Sequence, residues 1–525
     1  MTEPTVSSAL AEAARRWPDK VVLRCARLDQ RASFAELDAL AGAVADALRD
    51  RGIGPGDRVA VMFHNDLEFP VCWLGVLRAG AAMVPLNVRL TGPELAALLA
   101  EAAPALVLAA EDFGPLLAGV LPAGSRALLL PADGSDLAAA LAGLPVPGSR
   151  GVEAAAGPVP ETLANIQFTS GSTGRSKGCL LSHRYWLTIG SAMRDHGPRL
   201  RGDDVLLTAQ PFYYMDPQWN LVAALLTGAE LVVLERFSSA TFWASVREHR
   251  VTFFYCLGVM PAMLLRTPVA PGERENRVRY IGCSAIPEGR HAELERRFGA
   301  PWHELYGSTE TGVDILVEPA DHDLALAGGL LGRPLPNREI RVVDDEDLPV
   351  PRGVVGRLLV RGVAMSDGYL DGSSATVGNG WYVTGDLAIR RPDGMVRFAG
   401  RVKDIIRRSG ENISAAQVEE AIQAHPGVRL CACLPVADEV RGEEIKAYLV
   451  CEDGPVSPAE LLSHARERLA AFKVPRYWEF RDRLPLTPSE KIAKARLRGE
   501  PDSALGRCYD TVAGVWLDRV RPRGT

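Results

Sequence analysis

Long hydrophobic runs are missing from this chain of 525 residues. Its longest apolar stretches, such as Leu221–Leu226 and Leu137–Ala142, fall far short of the roughly 20 residues that cross a bilayer. Met1-Thr-Glu-Pro carries neither the basic segment nor the apolar core of a secretory leader. These absences predict a cytoplasmic protein with no membrane partner. Cysteine lacks the spacings that carry chemistry. The nine thiols are scattered from Cys25 to Cys508, and the one close pair, Cys431 and Cys433, is Cys-x-Cys. Without CxxC there is no signature of a cysteine-held zinc or a thioredoxin-type centre, and reduced, mostly buried thiols are expected. Basic residues are not in excess. A formal charge of −6 excludes a polybasic nucleic-acid binder as the first reading. No repeat recurs at solenoid periods.

What is present is an ordinary globular balance, 47% hydrophobic and 24% charged. The length corresponds to about three or four domains of roughly 150 residues. Ser33 and Glu36 read as a helix cap, followed by Leu37, Leu40, Ala41, Val44, Ala45 and Leu48 at helical spacing. Apolar strands at Val59–Phe63, Ala82–Pro85 and Ala105–Leu108 alternate with helices at Phe69–Ala79 and Thr91–Glu101. That βαβ rhythm predicts a parallel sheet covered by helices. Residues 111–160, rich in Ala, Gly, Pro and Leu, give no clear order. Further strands are expected at Ala164–Thr169, Val205–Thr208, Glu230–Leu234, Phe253–Cys256 and Tyr280–Cys283. From Gly332 to Gly400 short β runs suggest a small barrel or sheet appended to the α/β core. The expected class is α/β: a large N-terminal domain over 1–400, a hinge at 401–404, a small α+β C-terminal domain over 405–500, and a tail over 501–525.

The most informative stretch is Thr169-Ser-Gly-Ser-Thr-Gly-Arg-Ser-Lys-Gly178. Its glycines permit close backbone approach, its hydroxyls and N–H groups can cradle phosphate oxygens, and Lys177 adds positive charge. A P-loop needs G-x-x-x-x-G-K-[ST], but Ser176 precedes Lys177 and Gly178 follows it. Gly174-Arg-Ser176-Lys-Gly178 fits a hydrolase elbow by letter. An elbow needs a strand directly before its serine, whereas Ser176 stands seven residues past Thr169. Four further motifs follow: Tyr306-Gly-Ser-Thr-Glu310-Thr-Gly, Trp381-Tyr-Val-Thr-Gly-Asp386, Gly400-Arg-Val-Lys-Asp404 with Ser409-Gly-Glu-Asn-Ile413, and Pro485-Leu-Thr-Pro-Ser-Glu-Lys491. Taken singly, Glu310 reads as a surface acid, Asp386 as a turn residue and Lys491 as a solvated lysine.

In this order and spacing the set resembles the core motifs of adenylate-forming enzymes. That superfamily holds acyl-CoA synthetases, peptide-synthetase adenylation domains and luciferases. The resemblance spans roughly residues 8–498. It implies that Thr169, Ser170, Gly171, Ser172, Gly174 and Lys177 bind the ATP phosphates, with Thr173 and Glu310 as catalytic ligands of Mg2+. Tyr306, Gly307, Ser308 and Thr309 would border the adenine, while Asp386 and Arg401 grip the ribose. Lys491 would supply catalytic charge from a mobile C-terminal domain that pivots at Lys403 and presents Gly410 to coenzyme A. Two positions depart from the usual motifs: Ser176 replaces a proline and Glu490 a glycine. Gly-Glu-Asn-Ile is the form of acyl-CoA synthetases.

The run Ala209–Trp219, with Gln218, is similar to the carnitine or crotonobetaine CoA ligase branch, and Tyr214 stands where relatives often carry histidine. The expected acid pocket comprises Tyr213, Tyr214, Asp216, Cys283, Ser284 and Asp314, with Asp216 or Asp314 reading an amino group. The implied reaction is ATP-dependent activation of a small carboxylic acid, with pyrophosphate release and transfer to coenzyme A. An alternative use of the same site is activation of nitrite to diazotise an aromatic amine.

Overall fold

A computed structural model describes residues 4–122, 125–131, 157–170, 176–257, 260–287, 289–326, 328–409, 411–438, 440–452, 454, 456–487, 492–499 and 508–517. The helix Phe34–Asp50 begins as its cap predicts. Ser33 Oγ accepts from the Glu36 N–H, and the Glu36 carboxylate accepts from the Ser33 N–H at 2.7 Å. Its apolar face, including Leu37, Ala41, Val44 and Leu48, is fully buried.

The βαβ rhythm of the first third builds a six-stranded sheet. Its order is Arg126–Leu130, Leu106–Ala110, Arg58–Met62, Ala82–Pro85, Leu163–Ser170 and Ser176–Ser182. The first five pair in parallel, and the last two form an antiparallel hairpin. Most of the uncertain stretch 111–160 lies outside the described residues. A second sheet, of 14 strands, includes parallel strands such as Val205–Thr208, Phe253–Leu257, Tyr280–Ser284 and Trp302–Ser308. It then turns antiparallel through Gly312–Leu316 into the β-rich region. Of the expected small barrel or sheet appended to the α/β core, the structure has the sheet: the strands Leu330–Pro334, Val396–Arg401, Trp381–Arg390, Val355–Gly362 and Arg338–Val343 continue the large one. Hydrogen bonding to Gly312–Leu316 carries it across.

Val396–Arg401 is the last strand of that sheet in chain order, Val402–Asp404 forms one 3-10 turn, and Ile405–Arg408 begins a third sheet of seven strands. The stretch read as a tail is in part ordered structure. Cys508–Asp510 pairs with Tyr477–Phe480, and Val515–Leu517 folds back beside it. Arg476 and Asp510, 3.0 Å apart, tie the hairpin down. Among the described residues no helix is long and apolar enough to cross a membrane. The nine cysteines are unpaired.

Candidate active site

The strands Leu163–Ser170 and Ser176–Ser182 flank the expected phosphate loop, with Thr169 opposite Lys177. Residues 171–175 lie outside the described residues, and with them Gly171, Ser172, Thr173 and Gly174. A strand, not a helix, follows Ser176. That removes the strand–turn–helix context a hydrolase elbow requires. Gly178 is needed for packing: a Cβ there would meet Ile166 Cγ2 at 2.9 Å and Leu370 Cβ at 3.2 Å. The segment Ser366–Leu370 therefore lies against the hairpin. Leu370 N–H donates to the Gly178 carbonyl at 2.7 Å and Asp367 N–H to the Leu180 carbonyl at 2.9 Å.

That segment carries a residue sequence motifs do not flag. Tyr369 donates its hydroxyl to Glu310 Oε1 at 2.9 Å, and the Lys177 ammonium stands 4.6 Å over the centre of its ring. Burial beside Glu310 raises the Tyr369 phenol above its ordinary range. The Ser366 N–H also donates to the Glu310 carbonyl at 2.8 Å. Tyr369 thus links the stem of the phosphate hairpin to the expected metal carboxylate. Gly307, in the same motif as Glu310, leaves no room for a side chain, since a Cβ would stand 1.9 Å from the Gly312 carbonyl oxygen.

A second group forms beside it. The Tyr306 hydroxyl donates to Asp386 Oδ2 at 2.6 Å, and Arg401 Nε lies 3.1 Å from Asp386 Oδ1. Asp386 and Arg401 are cross-strand neighbours in register. The Asp386 carboxylate is buried while Arg401 is half exposed, so the acid is held in place and its cation faces solvent. Burial, then the Asp386 charge, holds the Tyr306 phenol far above its ordinary value. The structure therefore brings Tyr306, Asp386 and Arg401 together.

Loop 211–214 is fixed by buried amides. Trp73 donates to Asn165, Asn165 to Gln218, and Gln218 to the Phe212 carbonyl, at 3.0, 2.8 and 2.7 Å. Gln167 donates to the Tyr213 carbonyl at 2.8 Å. Tyr213 and Tyr214 have ring centres 4.8 Å apart, and Trp219 meets Tyr255 edge-on at 5.7 Å. The Tyr255 hydroxyl lies 2.6 Å from Ser284 Oγ.

Two of the expected pocket residues are engaged elsewhere. Cys283 packs into a core cluster with Phe254 and Trp302, because alternation along its strand sends its side chain to the opposite face from Ser284. Asp314 is committed to a buried ion pair. Its Oδ1 accepts from Arg338 Nε at 2.9 Å, its Oδ2 accepts from Thr311, and both charged side chains are 1% exposed. It has no charge to spare for an amino group. Asp216 differs. It accepts from Thr208 at 2.7 Å and Asn220 at 2.9 Å, and pairs with no cation among the described residues. Burial pushes its carboxyl up to about 7.

Glu304 is a positioning residue that sequence motifs do not mark. Its carboxylate accepts from the Ala285 and Ile286 N–H groups at 2.6 and 3.0 Å. Ala285 is held at φ +70°, which strains a residue with a side chain. Glu304 therefore fixes the turn after Ser284. Glu304→Ala is expected to raise KM for the acid about tenfold through two lost bonds to a charged acceptor. Glu304→Gln, which keeps one acceptor, should recover most of that. Equal effects from both variants would remove Glu304 from this role.

In the small sheet's segment, Lys403 is exposed on the 3-10 turn. Gly410, Glu490 and Lys491 lie outside the described residues. Comparison with known proteins fits the geometry. The profile of the AMP-binding enzymes matches residues 10–370, and that of the AMP-binding enzyme C-terminal domain matches 417–491. A crotonobetaine/carnitine–CoA ligase of Salmonella paratyphi A is 32% identical over 92% of this chain and 97% of its own. ATP-bound MatB from Rhodopseudomonas palustris superposes with a TM-score of 0.83 at 29% identity, covering 94% of this chain and 99% of that one. The o-succinylbenzoate CoA synthetase MenE of Bacillus subtilis, holding its acyl-adenylate, gives 0.81 at 26% identity over 95% and 99%. The chain belongs to the AMP-binding enzyme family of adenylate-forming ligases.

Proposed function

We propose that this chain activates a small carboxylic acid on ATP, releasing pyrophosphate, and passes the acyl group from the adenylate to coenzyme A. The observation that carries the reading is the Tyr306–Asp386–Arg401 group standing beside Glu310 and its partner Tyr369. A buried carboxylate flanked by a guanidinium suits the two hydroxyls of a ribose. Glu310 is a hard oxygen donor of the kind Mg2+ takes, so the residues fit that ion. Mg2+, when bound, neutralises phosphate charge. Lys177 and the hairpin tip would hold the phosphates, and Lys491 would meet the charge that develops as pyrophosphate leaves. We divide the chain into a large domain over 1–400, a hinge at 401–404 around Lys403, and a small domain over 405–500 whose rotation brings Gly410 to the acceptor. Nine unpaired thiols support a cytoplasmic setting.

The acid, in this reading, carries an amino or quaternary ammonium group. Asp216 is a buried carboxyl near Tyr255 with no cation partner among the described residues. Aromatic rings with a carboxylate are the chemistry that recognises such cations. A bound cation would favour the ionised acid, so KM for a cationic acid should fall as pH rises through about 7. KM for its uncharged analogue should not. Asp216→Asn should raise the first KM roughly 10- to 100-fold and leave the second alone. Unchanged preference in that variant would end the idea.

The direct test is ATP-dependent pyrophosphate release across a panel of acids, with thioester measured when coenzyme A is added. Release with a carboxylic acid and thioester formation is expected. Release only with nitrite and an aryl amine would keep the ATP site and overturn the substrate.

A further inference from the structure

Two of the chain's nine histidines, His291 and His322, converge on one glutamate behind the strand that leads to Tyr306, and a third, His303, lies beside His322. His291 and Glu295 stand one turn apart on the helix His291–Phe298. His322 comes from the short helix His322–Ala325, and His303 from the strand Trp302–Ser308. His291 Nε2 and His322 Nε2 lie 3.3 and 3.1 Å from Glu295 Oε1, and all three atoms fall within 4.8 Å of one another. Ligand atoms around a tetrahedral zinc ion are spaced roughly 3.3 Å apart. The His303 ring is 4.8 Å from that of His322. Two further imidazole nitrogens, His303 Nδ1 and His322 Nδ1, are buried without a hydrogen-bond partner. His303 is 2% exposed and stacked flat on Tyr280 at 4.0 Å, so its orientation is fixed. An unpartnered buried nitrogen is costly unless something occupies it.

We infer that His291, Glu295 and His322, completed by His303, form a site for a borderline divalent cation such as Zn2+. The ion would clip together the helix, the strand and the segment at 322. This site is separate from the reaction's Mg2+, because imidazole selects Zn2+, Co2+ or Ni2+ over hard cations. It uses no cysteine, so it has no CxxC signature. The Trp302 N–H donates to Glu295 Oε1 at 2.8 Å and would orient the carboxylate from behind. His291 Nε2 lies 2.8 Å from the Trp302 carbonyl, so binding exchanges that proton for the metal.

The test uses the full, untagged chain, stripped with chelator and free of nucleotide, titrated with Co2+. A visible d–d spectrum saturating at one equivalent and displaced by Zn2+ is expected, with no response to Mg2+. Glu295→Gln and His322→Asn should each weaken Co2+ more than about 100-fold, beyond the usual outer-shell effect. Their circular dichroism should match that of the parent. No one-equivalent spectrum in the parent chain, or the same affinity in both variants, overturns the site. Should a variant fail to fold, the parent's stoichiometry and spectrum decide. No readout depends on the ligase reaction, so its failure and this one are separable.

Discussion

Lys491→Ala should release pyrophosphate about 100- to 1000-fold more slowly than the parent chain, with little change in ATP binding. In the proposed site the lysine's charge would act where negative charge grows, whereas base and ribose contacts would fall to Tyr306, Asp386 and Arg401. The described segment that follows Lys491 is tied to the turn Val402–Asp404. Lys494 Nζ lies 2.7 Å from Glu419 and 3.4 Å from Asp404, and Arg498 reaches Asp404 at 2.7 Å. Asp404 ends the turn Val402–Asp404. The proposed rotation about that turn would therefore carry the flank of Lys491 with it. Thioester formation from a pre-made acyl-adenylate should survive the substitution, since that step needs no charge on departing pyrophosphate. Pyrophosphate release at the parent rate would remove Lys491 from the chemistry.

Arg338→Ala should cost the fold about 3–5 kcal/mol, the penalty for leaving one member of a buried ion pair alone. Arg338 also donates to the Val363 carbonyl at 2.7 Å and to the Thr311 carbonyl, so it joins the β-rich strands to the turn after Glu310. Asp314 already has its carboxyl raised to about 6, burial outweighing the arginine. A carboxyl raised in the folded state loses stabilisation as pH climbs from its unfolded value through its folded one. Without the arginine that folded value rises further, so the variant should lose more stability at pH 8 than at pH 5. Adding Asp314→Asn should recover part of the loss. Denaturant unfolding measures this, and a difference under about 1 kcal/mol would show the pair to be dispensable.

The local parts of this architecture were legible in the chain. The Ser33 cap, the βαβ alternation and the order of the motifs all depend on neighbours a few residues apart. What stayed hidden depends on distant pairing. Nothing in short β runs says that Leu330–Pro334 will continue the strand Gly312–Leu316 rather than close a barrel. Asp314 looked available because its partner lies 24 residues away in sequence. Cys283 and Ser284 are adjacent, and only the sheet decides which one faces a core. Tyr369 sits in a turn without periodicity, so its bond to Glu310 left no trace in spacing.

The hairpin 508–517 has a bearing on how this protein should be handled. It covers Tyr477–Phe480, whose backbone would otherwise be an open sheet edge. A chain truncated at residue 499, just past the region the family profiles match, would uncover those donors and acceptors and strip Arg476 of Asp510. Open edges recruit strands from neighbouring molecules. Shortened preparations should therefore self-associate on concentration where the full chain stays dispersed.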